Sequence, residues 1–265
     1  MVATQPESTP SMPIREGVSR LRFWVTTLLV LIAVGVMVRL GIWQLDRLAQ
    51  RRAFNARVQA QLEQPVLVLD AAALEENLDE LYEMEYRAVI VEGVYDFAHQ
   101  VALRNQAYQN LWGVYLLTPL KVQGSDWAIM VNRGWIPGED FLSGDWSRYD
   151  QPGQVTVRGM IRRAQIKPDF GRRADPTPGP GQPPLRAWNL ANIEAIARQI
   201  PYPVVPNVYV HQTEGERGMQ NLPIPTPIEL DLSEGPHLGY AIQWFTFATI
   251  LGVGYPLLLR RRRRK

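Results

Sequence analysis

The sequence predicts an α+β membrane protein: two transmembrane helices flank an external domain built on antiparallel β-strands with short helices. Three observations predict this fold class. Long apolar stretches lie near both ends of the chain, at residues 23–45 and 238–259. Six consecutive cations, residues 260–265, end the second stretch. Between the two stretches, short β-rich runs alternate with turn signals and with few helical patterns.

The first apolar stretch, residues 23–45, follows an arm (residues 1–22) that we predict to be cytoplasmic and without regular structure. Arg39 is its one charged residue, and it lies one turn before Trp43, so its stem can extend to the membrane interface. A removable signal peptide is the alternative, but it requires a shorter apolar region and a small-residue cleavage site. We therefore interpret residues 23–45 as a retained helix.

The second apolar stretch, residues 238–259, would be about 33 Å long as a helix, which is enough to cross a bilayer. Residues 260–265 form a basic tail. Cations in the arm and in the tail predict that both termini are cytoplasmic, so residues 46–237 lie outside. The arm lacks the Arg-rich, acid-poor character of a mitochondrial transit peptide, which favours a bacterial inner membrane protein with a periplasmic domain.

Charge and cysteine content exclude several functions. Residues 46–237 carry 24 acidic and 18 basic side chains, a net charge of −6, which argues against nucleic acid as a partner. The basic tail fits membrane lipid instead. The chain has no cysteine, which removes Cys-x-x-Cys redox chemistry, covalent c-type haem and thiolate copper sites.

Within the external domain, a helix is predicted to continue from the first membrane span to residue 62, and Asp70 is the predicted N-cap of a second, short helix. The strands expected to form an antiparallel sheet or small barrel are residues 89–95, 114–120, 127–136, 155–161 and 204–210. Residues 167–185 read as a proline-rich loop, residues 189–200 as a helix, and residues 219–236 as an extended connector.

His237 is the leading candidate for a ligand because it opens the second apolar stretch. Ala241, Trp244, Ala248 and Gly252 share its helical face, and the small residues among them permit close approach of another helix or of a flat ring. An imidazole in this position resembles an axial ligand of a haem. The alternative is a histidine that hydrogen-bonds lipid headgroups or caps the helix.

The other two histidines are predicted to be structural, His99 in a turn and His211 at the end of an edge strand. Hydrolase, phosphate-binding and His-Glu-x-x-His metalloprotease motifs do not occur in the sequence. An enzyme is therefore not predicted.

Two groups of arginines are candidate ligand contacts. Arg39, Trp43 and Arg47 fall on one stripe of the first helix, where two guanidinium groups can hold propionate-like carboxylates. Ordinary interfacial anchoring is the alternative for this stripe and is slightly favoured. In the strand 127–136, Arg133 lies among apolar and aromatic neighbours, so it must be paired or stacked. We expect a structural ion pair there, with a ligand or partner contact as the alternative; Gly134 suggests a bulge or a close backbone approach.

Three separated runs together resemble the Surfeit locus protein 1 family: LGIWQLDR at 40–47, VNRGWIP at 131–137 and HLGYAIQWF at 237–245. The matching positions include Gly41, Gln44, Asn132, Arg133, Gly134, Trp135 and Gln243. Two departures occur: Gln50 and Arg51 stand where the family often has Trp-Lys, and Pro236 stands where an Asn commonly precedes the histidine.

This resemblance implies a non-enzymatic assembly factor for haem-copper cytochrome c oxidase. Such a protein would bind haem a transiently and assist its delivery to the catalytic subunit of the oxidase, with the haem a synthesis enzyme as a second partner. His237 would ligate the iron, and Tyr240 and Trp244 would contact the macrocycle. The alternatives are a membrane-anchored scaffold that binds no cofactor, and a receptor, which is disfavoured because no signalling module is attached.

Overall fold

The structure is a computed structural model that describes residues 14–168, 175–176, 178–179, 182–214 and 222–263. The chain divides into two compact units, one formed by Met1–Asn55 with Leu232–Lys265 and the other by Ala56–Asp231. The fold is α+β, with a mixed sheet in the second unit and a long helix at each end of the chain.

The long helices are α1 (Ile14–Leu62) and α5 (His237–Arg263). Both are long and apolar enough, by length and composition, to cross a membrane. Helix α1 continues to Leu62, as the sequence predicted. Helix α1 begins at Ile14, inside the predicted arm of residues 1–22, since extending an existing helix costs far less than nucleating one. Residues 1–13 lie outside the described residues.

The described residues of the second unit form eight strands and three short α-helices, together with three 3-10 turns. The strands are β1 (Leu67–Val68), β2 (Ala88–Tyr95), β3 (Val101–Tyr108), β4 (Leu111–Val122), β5 (Ala128–Pro137), β6 (Gln154–Arg163), β7 (Ala187–Trp188) and β8 (Val208–Gln212). The helices are α2 (Ala71–Asn77), α3 (Gly138–Ser143) and α4 (Ile193–Ala197).

Five of these strands close into a small barrel. Around the ring, β2 pairs with β4, β4 with β5, β5 with β8, β8 with β6, and β6 with β2. Every pairing is antiparallel except β5 with β8. The sheet is therefore mixed and not purely antiparallel, because the long connection from β6 to β8 brings β8 back in the direction of β5. This order and these directions are those of an OB-fold barrel.

The five predicted strands are all present, and so is the predicted cap: the Asp70 carboxylate accepts a hydrogen bond from the Ala73 amide at 2.9 Å. Sequence reasoning missed β3, whose polar stretch Arg104–Gln106 interrupts the apolar alternation where its pairing with β4 shifts register. The helix predicted over residues 189–200 is shorter, since Asn192 caps it and α4 spans Ile193–Ala197.

The proline-rich loop and the extended connector fall partly outside the described residues. Residues 222–236 of the connector contain no helix, in agreement with the sequence, whereas residues 219–221 lie outside the description.

The barrel interior is filled by branched apolar side chains from the five strands. Val91, Leu120, Ile129, Val157 and Val210 are all essentially inaccessible to solvent. A second cluster, with Trp188, Ile193 and Ile196 at its centre, covers the outer side of β3 and β5. The barrel is therefore a packed core, with no open channel among these residues.

His211 lies inside the sheet and not at an edge, because β8 has hydrogen-bonded neighbours on both sides. Its Nε2–H donates to the Thr226 carbonyl at 2.7 Å, and its Nδ1 accepts from the Asn132 amide at 3.2 Å. Asn132 cannot reverse this role, since its Oδ1 accepts from the Gly134 amide at 3.1 Å. The edge position predicted for His211 is wrong, but its structural role is evident.

Arg133 is only 2% exposed, yet no carboxylate of the described residues forms a salt bridge with it. The predicted ion pair is therefore wrong. The guanidinium stacks on the Tyr95 and Phe97 rings, at 4.9 and 5.2 Å, and donates to the Gln100 side chain and the Tyr149 carbonyl. Aromatic faces and neutral oxygens offset its loss of hydration.

Gly134 lies where the chain after residue 221 pairs with β5. Its φ of 130° suits glycine alone, and a Cβ at this position would lie 2.3 Å from the Ile224 carbonyl oxygen. Ile224 exchanges two backbone hydrogen bonds with Trp135, at 2.8 and 2.9 Å. Gly134 thus permits a bridge that attaches the connector to the barrel.

We expect Gly134→Ala to destabilise the domain by more than about 2 kcal/mol, because it combines a forbidden φ with a backbone clash. Gly144→Ala is the matched control: Gly144 also has a positive φ, of 74°, but no atom beyond its chain neighbours lies within 4 Å of the place a Cβ would take. The thermal midpoints of both variants measure the difference. Equal losses in the two variants would contradict the role of close approach at Gly134.

We expect His211 to make the domain less stable in mild acid. Burial lowers the pKa of His211, although the Thr226 carbonyl opposes this shift. A depressed folded-state pKa means that the unfolded chain binds the proton first, so stability is complete above the ordinary pKa of about 6.5 and falls as the pH drops below it. Thermal unfolding between pH 7.5 and 5.5 should show this decline, and His211→Gln should flatten it. An unchanged slope in the variant would assign the effect to other groups.

Candidate functional site

The candidate site lies in the first unit, where α1 and α5 pack side by side. Gly41 is buried against the Phe245 ring, and a Cβ on Gly41 would approach that ring to 2.7 Å. Ala241 and Ala248 on α5 are 1% and 6% exposed. Small residues on both helices therefore set the close contact, as the sequence predicted for the face that begins at His237.

His237 is fixed by a hydrogen bond from across the helix pair. Its Nδ1 lies 2.9 Å from Oε1 of Gln44 on α1. Because an amide oxygen only accepts hydrogen bonds, Nδ1 carries the proton, and the lone pair is on Nε2. Nε2 has no hydrogen-bond partner among the described residues. In this tautomer of the neutral ring, Nε2 is the nitrogen that could ligate a metal.

The segment before α5 is attached to α1 by four polar contacts. Arg52 forms a two-pronged ion pair with Glu234, at 2.7 and 2.9 Å. Arg51 donates to the Ser233 carbonyl at 3.0 Å, and Asn55 donates to the Leu232 carbonyl at 2.6 Å. These contacts hold residues 232–234, which lie just before α5, against α1. Arg51, one of the two departures from the family pattern, therefore contributes to positioning His237.

Pro236, the other departure, begins the helix without a side-chain cap. Its carbonyl accepts the first intrahelical hydrogen bond, from the Tyr240 amide at 3.1 Å. The orientation of the imidazole comes from Gln44, so it does not require an asparagine at position 236.

Gly235 lies next to the Nε2 edge of the imidazole. Gly235 has a φ of 68°, and a Cβ there would lie 3.5 Å from Cδ2 and 3.6 Å from Nε2 of His237. No group of three His, Cys, Asp or Glu side chains that could hold a bare metal ion occurs within the described residues. A single oriented imidazole without other protein ligands suits a metal that brings most of its own ligands.

The three residues of the arginine stripe, Arg39, Trp43 and Arg47, are all exposed. At 100° per residue, Arg39 and Trp43 lie about 160° around α1 from Gly41, whereas Arg47 lies about 60° from Gln44. The Arg47 guanidinium lies over the Trp43 ring at 5.6 Å and donates to Gln50 at 2.9 Å. Direct propionate contacts by this stripe gain no support from the helix packing, and interfacial anchoring fits the arrangement.

The remaining predicted residues on α5 differ in their exposure. Trp244 is half-buried and packs edge-on against Phe247, with ring centroids 6.3 Å apart. Tyr240 and Gln243 are exposed. Contact of Tyr240 or Trp244 with a cofactor stays a prediction.

Comparison with known proteins shows to which family the chain belongs. The model of the SURF1 family matches residues 31–249, a span that includes Gln44, Gly134 and His237. The chain belongs to the SURF1 family. A SURF1-like protein of Rickettsia bellii is 26% identical over 243 residues, which are 89% of this chain and 91% of that protein. This confirms the resemblance inferred from the three motifs.

Two animal relatives of the SURF1 family are similar over shorter shares of their own length. Surfeit locus protein 1 of Homo sapiens is 27% identical over 192 residues, 66% of this chain and 58% of the human protein. A SURF1-like protein of Caenorhabditis elegans is 22% identical over 249 residues, 86% of this chain and 72% of that protein.

The role of Gln44 was missed by sequence reasoning, although the residue was noted within a family motif. The signal is weak, because its partner lies 193 positions away and only the packing of α1 on α5 brings the two together. A glutamine at the end of an apolar stretch, three residues after a glycine, was the available indication.

We expect Gly41→Leu to separate the two helices, because the Phe245 ring occupies the space into which the new side chain would extend. Gly35→Leu is the control on the same helix, since nothing lies within 4 Å of a Cβ at that position. The chain has no cysteine, so cysteines placed at Thr27 and Tyr255, whose side chains touch at 2.7 Å, report pairing through a short bismaleimide cross-link. A cross-linking yield unaffected by Gly41→Leu would argue against the close contact.

Proposed function

We propose that this SURF1 family protein is a non-enzymatic assembly factor for haem-copper cytochrome c oxidase. It binds haem a through His237 and assists delivery of the haem to the catalytic subunit. Membership of the family and the geometry of His237 support the proposal. The haem a synthesis enzyme would supply the cofactor, and the oxidase subunit would receive it.

The observation that carries the proposal is the Gln44–His237 hydrogen bond. In metal-binding proteins the ligating histidine usually donates its second ring N–H to an oxygen, which fixes the tautomer and orients the ring. Here the Gln44 oxygen receives that proton at 2.9 Å, and Nε2 keeps its lone pair beside Gly235. Haem a would supply the iron and its four pyrrole nitrogens, while the protein supplies a preoriented axial nitrogen.

A single neutral ligand suits transient binding. Gln44 is an amide and not a carboxylate, so it orients His237 without the strong increase in ligand basicity that a negative partner gives. The site also lies where α5 begins, next to the polar segment Leu232–Glu234. Access for solvent at that end would allow a competing ligand to replace the imidazole during transfer.

The proposed location is the bacterial inner membrane, with both termini in the cytoplasm and the barrel in the periplasm. The two long apolar helices support membrane insertion, and the basic flanks at residues 15–22 and 260–265 support the orientation. His237 would then lie at the periplasmic end of α5. Lipid surrounds the exposed apolar faces of both helices in this arrangement.

The test is the haem content of the full-length protein purified from cells that make haem a. We expect His237→Ala to lose most of the haem absorbance. Gln44→Leu should weaken haem binding about tenfold or more, because loss of an orienting partner typically costs 10–100-fold in metal affinity. Gln44→Glu, which keeps an acceptor oxygen, should retain binding, and Gln59→Leu is the matched control on an exposed part of α1.

Thermal unfolding of each variant separates lost binding from lost folding. Unchanged haem content in a folded His237→Ala protein would remove the axial-ligand proposal. Normal oxidase assembly in cells that carry this variant would favour the scaffold without cofactor. A pure packing role for Gln44 predicts equal effects of Gln44→Leu and Gln44→Glu, whereas an orienting role predicts rescue by Glu.

A further inference from the structure

A second candidate site lies in the barrel unit, far along the chain from His237. A cavity of about 190 Å³ opens between the connection from β2 to β3 and the segment that leads through β7 to α4. Its lining includes His99, Gln100, Val101, Leu185, Arg186 and Ile196. When the five ring strands are numbered in chain order, the first of these segments connects strands one and two (β2 and β4). The other segment connects strands four and five (β6 and β8). OB-fold barrels bind their ligands between those two connections.

Arg186 is the charged residue that lines this cavity. Among the described residues, no Asp or Glu belongs to the lining. The Arg186 guanidinium is held in place, since it lies 4.6 Å over the Trp146 ring and donates to the Gly144 carbonyl at 3.0 Å. An arginine fixed by stacking still has other N–H groups for a second partner.

His99 is also held in place. Its Nδ1 lies 2.8 Å from the Asp96 carboxylate, and the Tyr202 hydroxyl donates to the same carboxylate at 2.5 Å. Burial alone would raise the pKa of Asp96, but the hydrogen bonds from Tyr202 and His99 outweigh it and lower that pKa. Asp96 therefore stays ionised and keeps the imidazole oriented at the edge of the cavity.

A buried cation lies next to the cavity. Arg133 donates to the side-chain oxygen of Gln100, which is part of the lining, at 3.1 Å. Its described partners are neutral oxygens and aromatic rings, so its charge is not cancelled by a direct carboxylate contact. Asp150 acts on Arg133 electrostatically, and Asp145 and Asp150 line a neighbouring polar cavity that shares Phe97, Gln100 and Arg186 with the first. Within the first cavity, Arg186 is the charged group that an anion would meet directly.

The apolar part of the cavity is preformed. Ile196 is fully buried and Val101 is 5% exposed, and together with Leu185 and Phe97 they offer a hydrophobic surface. The volume suits a group about as large as an aromatic side chain. The acidic charge of the domain as a whole disfavours nucleic acid, the usual ligand of OB-fold barrels.

We propose that this cavity binds a small apolar carboxylic acid, with its hydrocarbon body on Val101, Leu185 and Ile196 and its carboxylate on the Arg186 guanidinium. The site is independent of His237 and of haem binding. Arg186 supplies a charged, planar donor, and the hydrophobic surface supplies the remaining affinity.

The test uses the full-length protein in lipid nanodiscs with ¹⁵N-labelled tryptophan, titrated with N-acetylphenylalanine. The indole N–H of Trp146, assigned through Trp146→Phe, lies beneath Arg186 and reports binding through its chemical shift. We expect a saturable shift. The neutral amide N-acetylphenylalaninamide should bind roughly tenfold or more weakly, because it lacks the charge that Arg186 recognises.

Arg186→Gln should weaken binding of the acid by a similar factor and leave the weak binding of the amide unchanged. Arg198→Gln is the matched control, because Arg198 is exposed on the same connection, pairs with Glu194 at 2.6 Å and does not line the cavity. Absence of a saturable shift, equal binding of acid and amide, or full binding by a folded Arg186→Gln protein would each overturn the proposal.

Discussion

Close contact between α1 and α5 at Gly41 is the constraint on which the helix pair depends. The Phe245 ring fills the space where any larger residue would place its side chain. This contact sets the distance between the helices and therefore brings the Gln44 oxygen within 2.9 Å of His237. Two family-motif residues with no chemistry of their own, a glycine and a phenylalanine, thus make a hydrogen bond between residues 193 positions apart possible.

The mid-domain motif has a different purpose from the helix motifs. The Asn132 side chain accepts a hydrogen bond from the Gly134 amide and donates one to His211. His211 in turn donates a hydrogen bond to the Thr226 carbonyl. Gly134 lets Ile224 pair with Trp135. Together these contacts join two barrel strands to the connector that leads to α5. The sequence run at 131–137 therefore has a role in folding.

Local patterns in the sequence predicted local structure well. The Asp70 cap, the five barrel strands and the small-residue face of α5 depend on neighbours within a few positions, so periodicity and capping chemistry reveal them. Features that depend on partners distant in the sequence could not be predicted from local patterns. His211 was placed at an edge because pairing of β8 with both β5 and β6 is a property of the closed ring, and Arg133 was assigned an ion pair because its aromatic partners arrive from other segments.

The ion pair between Arg52 and Glu234 has a consequence for motion of the imidazole. Side chains are spaced about 100° apart around a helix axis. A rotation of α5 about its own axis would therefore move His237 away from Gln44. The contacts of Arg51, Arg52 and Asn55 with Leu232, Ser233 and Glu234 oppose that rotation immediately upstream of the ring. These contacts therefore restrict rotation of α5. The imidazole would then keep its orientation towards Gln44 whether or not Nε2 has a partner.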